Sequence, residues 1–220
     1  MNLFKKIILI ISILMNFMVT ATEPKLLEMR PGDLVLMSYN CFGCLIIENE
    51  TSSKYSHIGV VLSNNGGKIT LAQSVGNVHQ VKLKKFLKNS RVKTRPGLFR
   101  SYQLDELYIS QPEKFEEFAE GLKSVFWKSY NGLAFDHQYL WDNIDESGKE
   151  KLYCAEFITK LLNHFLWPKM LPLPMTFDRN FDFWNRYFRG NVPSEQDGVS
   201  PASFTRSALF FKVFDLDEIK

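Results

Sequence analysis

The chain has 220 residues, 45% of them hydrophobic and 14% aromatic, and its 27 Lys and Arg residues barely outnumber its 24 Asp and Glu. That composition excludes a disordered chain and carries no overall signature of nucleic-acid binding. The length suits one domain with a substantial core.

The chain opens with Lys5 and Lys6, the apolar run Ile7 to Val19, and small residues at Val19-Thr20-Ala21. This order is that of a secretory signal peptide spanning residues 1–21. The run is shorter than the roughly 20 apolar residues a membrane span needs. Residues 22–220 are then expected as a single exported domain, periplasmic or extracellular. Without Lys5 and Lys6 the charge balance is 25 against 24, close to neutral. One stretch remains locally basic, with Lys82, Lys84, Lys85, Lys88, Arg91, Lys93, Arg95 and Arg100 and no acid among them. Such runs are most often solvated faces. The functional alternative is peripheral contact with an anionic surface such as the cell envelope.

Turns and apolar periodicity then divide the chain. Met29-Arg30-Pro31-Gly32-Asp33 reads as a turn, Leu34 to Met37 as a buried strand, and residues 44–52 as a short helix. Ser56 to Leu62 and Lys68 to Val75 read as strands joined by the turn Asn64-Asn65-Gly66-Gly67. After Gly76-Asn77, Val78 to Leu83 alternates as a third strand, giving an antiparallel meander. The second half turns helical. Pro112 opens a segment in which Phe115, Phe118, Ala119, Leu122, Val125 and Phe126 recur at helical spacing, and Asn131-Gly132 ends it. A helix from Cys154 runs to Trp167-Pro168, followed by an irregular, aromatic-rich stretch through Phe188. Strands first and helices after predict an α+β fold, an antiparallel sheet or barrel packed against helices.

Cys41-Phe42-Gly43-Cys44 permits a local disulfide, which would leave Cys154 as the free thiol. No second ligand pair completes a zinc spacing, and His57, His79, His137 and His164 are scattered, so no metal or cofactor is expected. From Cys154, Phe157, Ile158, Leu161, Leu162 and Phe165 fall on one helical face. The ordinary reading of Cys154 is therefore a buried core cysteine. The functional reading notes its place in the first helical turn, where unpaired amides and the helix dipole favour a thiolate and can stabilise an oxyanion. His57 shares a strand face with Gly59 and Val61, and Gly59 leaves room for a helix or a substrate to approach. A strand histidine is more often structural than catalytic, and becomes a base when a thiol lies within reach. On the next strand Gln73 is the polar exception on an apolar face, a candidate partner for the His57 ring, with His79 as its rival.

Taken in order, Pro31-Gly32-Asp33-Leu34-Val35, Thr51 with Ser56-His57-Ile58-Gly59-Val60-Val61, Ala72-Gln73, Gly132 with Phe135-Asp136, Tyr153-Cys154-Ala155-Glu156-Phe157 and Ser200-Pro201-Ala202-Ser203 resemble the circularly permuted NlpC-type, papain-like amidases, the YiiX-like group. The match runs from about residue 30 to the C-terminus, in short pieces whose order is the specific part. The permutation of that family puts the histidine strand before the cysteine helix, as here. The resemblance implies a permuted papain-like fold, Cys154 as nucleophile and His57 as general base, with Gln73 where the family often has a glutamate. An amide holds the ring without stabilising an imidazolium by charge. Ala155 stands where serine is common, and the Cys41–Cys44 pair lies outside the pattern.

The implied chemistry is acyl transfer through a thioester, with Asp136 and Tyr139 as candidate substrate-binding residues ahead of the nucleophile helix. Three readings follow. The first is an exported cysteine amidase or peptidase acting on a peptide, peptidoglycan fragments among the candidates. The second is a lipid ester or amide hydrolase or acyltransferase, which a long apolar groove would favour. The third is a catalytically weak ligand-binding module that keeps the pocket.

Overall fold

The computed structural model describes residues 24–216. The expected signal peptide lies outside them. A helical turn, α1 (Pro24–Leu27), leads through the Pro31-Gly32-Asp33 turn into β1 (Leu34–Met37), all four residues of which are buried. Next come α2 (Phe42–Glu50), β2 (His57–Asn65), β3 (Lys68–Val75) and β4 (Asn77–Lys82). They are followed by α3 (Leu83–Leu87), β5 (Gly97–Ser101), α4 (Tyr102–Ser110) and α5 (Pro112–Val125). Helix α5 widens into a π-type turn over Phe126–Tyr130. The chain closes with α6 (Cys154–Leu162), β6 (Leu173–Pro174), α7 (Phe181–Tyr187), β7 (Asp197–Gly198), α8 (Pro201–Arg206) and β8 (Phe210–Asp215).

Six strands form an antiparallel sheet in the order β4-β3-β2-β1-β5-β8. The expected meander is one side of it. Strands β5 and β8 extend the other side and were not foreseen, because each is short and neither alternates cleanly. The β2–β3 hairpin turns at Asn64, whose Oδ1 accepts the amide N–H of Gly67 at 2.8 Å. Its ladder is paired from Asn65↔Lys68 to Val60↔Ala72. Beyond that register the first residues of β2, His57 and Ile58, have no ladder partner on β3. The sheet therefore opens at this end.

The period of two in β2 sorts its side chains into two layers. Ile58, Val60 and Leu62 join one apolar cluster with Phe118 and Leu122 of α5 and with Cys154, Phe157, Ile158 and Leu161 of α6. Val61 joins the other, with Val35, Met37, Leu71 and Phe86 of α3. The helical face expected after Pro112 is the one that packs inward, with Phe115, Phe118, Ala119 and Leu122 all buried. Gly59 faces α3. A Cβ there would lie 2.8 Å from the Phe86 ring, so the space the glycine leaves is filled by a helix rather than a substrate.

The basic stretch divides. Arg100 is buried, its Nε and Nη2 donating to the two carboxylate oxygens of Asp33 at 2.7 and 2.9 Å. Arg91 donates to the carbonyls of Tyr39 and Cys41 and pairs with Glu48 at 3.6 Å. These two arginines hold the fold together and are not part of a free cationic face.

Candidate active site at the open end of the sheet

Helix α6 packs across β2 and β3 with its N-terminus at the place where those strands part. The segment before it is tied down by Ser74 Oγ, which donates to the Leu152 carbonyl at 2.6 Å. The Cys154 sulfur thereby reaches the backbone amide of Ile58, the residue after His57, as well as the amide of Ala155 in its own helical turn. Cys41 and Cys44 are joined by a disulfide, and Cys154 is the free cysteine.

His57 projects on the other face of β2, wedged between Phe86, stacked at 5.4 Å between ring centroids, and the edge of Tyr39 at 5.2 Å. Its Nε2 lies 2.8 Å from Oε1 of Gln73. Nε2 of Gln73 lies 3.1 Å from Nε2 of His79, whose Nδ1 lies 2.9 Å from the Asn77 carbonyl oxygen. Both candidate partners named from the sequence are therefore present, in series. Gln73 touches the ring and His79 stands behind Gln73, because β3 and β4 pair Gln73 directly opposite His79.

Burial works against the thiolate that the helix terminus favours. Burial pushes the Cys154 thiol up to about 12, and the amide hydrogen bonds from Ala155 and Ile58 only partly oppose it. Burial likewise lowers His57 to about 4, against the raising effect of the Gln73 bond. Both shifts favour the neutral forms of the two groups near pH 7.

Cys154 lines one wall of a cavity of about 920 Å³. Its other walls come from the end of α2, the 168–177 segment, and the 198–209 segment carrying α8. Most of the lining is apolar, including Met170, Leu171, Leu173, Phe177 and Val199. Of these walls, the sequence shows the 168–177 segment only as an irregular connection, since its apolar residues follow no period. Tyr139 lines the cavity, at the positive φ of 54° and within the aromatic cluster of Trp184, Tyr187 and Phe188. Asp136 does not line it. It is fully buried behind the wall, where its carboxylate accepts from the amides of Gln138 and Leu140 at 2.8 Å each and from Asn143 Nδ2 at 2.7 Å. Asp136 thus shapes the loop that presents Tyr139.

Among the described residues, Asp142, Glu150 and Glu156 bring carboxylate oxygens together. The Lys160 ammonium sits among them, 2.6 Å from Asp142 and 2.8 Å from Glu156, and also bonded to Glu150. The group is an ion-pair cage bracing α6 against the 142–150 loop.

The fold and site define a class: an antiparallel sheet packed against helices, with a helix-terminal cysteine set against a histidine-bearing strand. No protein-family model and no curated protein sequence matches the chain. Among solved structures it is similar to the crystal structure of metalloprotein yiiX from Escherichia coli O157:H7 (DUF1105). The TM-score is 0.66 at 20% sequence identity, over 86% of this chain and 98% of that one. The fold is therefore YiiX-like.

Proposed function

We propose that this protein is an exported thiol hydrolase of permuted papain-like, NlpC-type architecture that works by acyl transfer through Cys154. The observation that carries the reading is the Cys154 sulfur, in the wall of a large cavity, against the amide of Ile58, the residue that follows His57 on β2; the His57 Nε2 is already engaged by Gln73. In the first step Nδ1 of His57 takes the thiol proton as the sulfur attacks an ester or amide carbonyl. The oxyanion develops at the amides of the α6 N-terminus. The imidazolium then gives its proton to the departing alcohol or amine, leaving a thioester. Water, deprotonated by His57, cleaves the thioester and restores the thiol.

The apolar lining favours the second of the substrate readings. A fatty acyl ester or amide matches walls of Met, Leu, Phe and Val better than a polar stem peptide does. Peptide and lipid substrates of the envelope both remain consistent with an exported enzyme. The description of yiiX as a metalloprotein does not carry over to a cation here. The Lys160 ammonium already occupies the space among the convergent carboxylates of Asp142, Glu150 and Glu156 and bonds to all three, so the donor set does not fit a metal and no step runs through one.

Incubation with activated esters of graded acyl length, and separately with muropeptides, followed by acid quenching and peptide mass spectrometry, tests the reading. An acyl adduct on Cys154 is expected, absent in Cys154→Ala and slowed about 100-fold or more in His57→Ala. A wild-type protein that never acquires an adduct from either set would leave the pocket as a binding module.

A further inference from the structure

The chain of contacts from His57 to the Asn77 carbonyl has a direction, and it follows from its last atom. A backbone carbonyl oxygen only accepts hydrogen bonds. His79 Nδ1, 2.9 Å from that oxygen, therefore carries a proton. A neutral imidazole has one N–H, so His79 Nε2 bears a lone pair and must receive its bond from Gln73. The Gln73 NH2 group, 3.1 Å away, supplies it. With its NH2 turned to His79, the amide presents Oε1 to His57 at 2.8 Å. That oxygen only accepts, so His57 Nε2 carries the proton and Nδ1 is left with the lone pair.

We infer that His79 is a positioning residue that sets the tautomer of His57 through the Gln73 amide. The inference rests on the reading of His57 as general base, because only the tautomer with a free Nδ1 lone pair takes a proton at that nitrogen. It also accounts for a glutamine in this position. A carboxylate accepts through both oxygens and orients a histidine unaided. An amide has two nearly isosteric ends, one accepting and one donating. Turned over, Gln73 would donate to His57 Nε2 and move the proton to Nδ1, disabling the base. His79 on the edge strand β4 removes that freedom, so that the Gln73–His79 pair reproduces the acceptor role of an acid without its charge.

The test is the protonation state of each imidazole nitrogen, read at pH 8 from long-range proton–nitrogen correlation spectra of protein labelled with nitrogen-15 histidine. Wild type is expected to show His57 protonated at Nε2 only. His79→Ala is expected to shift His57 wholly or partly to the Nδ1–H form, and His79→Gln, which can offer an amide oxygen in place of the ring nitrogen, to restore the wild-type pattern. Unchanged His137 and His164 signals report an intact fold. The rate of Cys154 acylation should fall in proportion to the fraction of His57 in the wrong tautomer. An Nδ1–H His57 in wild type, or an unaltered tautomer in His79→Ala, overturns the inference, whether or not the protein acylates. Tautomer control by His79 in a protein that forms no acyl-enzyme would instead overturn the hydrolase reading alone.

Discussion

At the scale of single residues, Cys154 and His57 were recognisable from their local patterns, yet their electrostatics were not. A helix N-terminus lowers a thiol, and the Ala155 and Ile58 amides act in that sense. Burial is the larger effect, and how deeply a side chain is enclosed depends on segments far away in the chain. Two outcomes follow from these shifts. Cys154 should alkylate with iodoacetamide at pH 7 more slowly than an unhindered cysteine, because its thiolate fraction is smaller. The pH profile of kcat/KM on a small ester should hold level through the neutral range and lose activity only where His57 protonates, near pH 4. The same shift affects stability. With His57 at about 4 in the fold and 6.5 unfolded, the unfolded chain takes up the proton first, so stability is lost as pH falls from 6.5 to about 4, by about 3 kcal/mol. Glu156, raised to about 7 by burial, acts oppositely and loses its contribution as pH rises from 4.5 through 7. Urea denaturation of wild type and His57→Gln at several pH values isolates the histidine: the difference between the two should narrow on acidification.

At the scale of elements, α2 links the Cys41–Cys44 pair to the site. Cys41 lies at its N-cap and Cys44 is buried in its first turn. Further along the helix Glu48 accepts from the hydroxyls of Ser38 and Ser56 at 2.6 and 2.8 Å, fixing the approach to His57. The helix was legible from its residues, but the oxidation state of the pair was not, because spacing permits a bridge without forming one. Reduction, or the double Cys41→Ser and Cys44→Ser change, should cost about 2 kcal/mol, the chain-entropy value for so short a loop. A thermal melt with and without dithiothreitol measures it, and Cys154→Ala as the background keeps the free thiol out of the comparison. Strand β5 was missed for a related reason. Gly97 to Ser101 reads as the tail of a basic run, and only the carboxylate of Asp33 on the neighbouring turn makes Arg100 an interior residue.

At the scale of the molecule, the Asp33–Arg100 pair joins the turn before β1 to β5, and Arg100 also donates to the Glu28 carbonyl at 2.8 Å. Removing one partner strands a buried charge, so Arg100→Ala should destabilise by about 3–5 kcal/mol in urea denaturation. An apolar replacement of both partners should cost less. Loss of no more than about 1 kcal/mol in Arg100→Ala would show that water reaches the carboxylate. Local patterning alone determined the antiparallel half of the sheet, the inward faces of the Pro112 and Cys154 helices, and the residue types able to do thiol chemistry. Those properties depend on periods of 2 and 3.6, which neighbours in sequence carry. The tertiary structure decided that β5 and β8 widen the sheet, that β2 and β3 part where Cys154 enters, that Asp136 supports Tyr139 from behind, and that burial raises the thiol and lowers the imidazole. Each of those is set by burial, which arises only when distant segments close over one another.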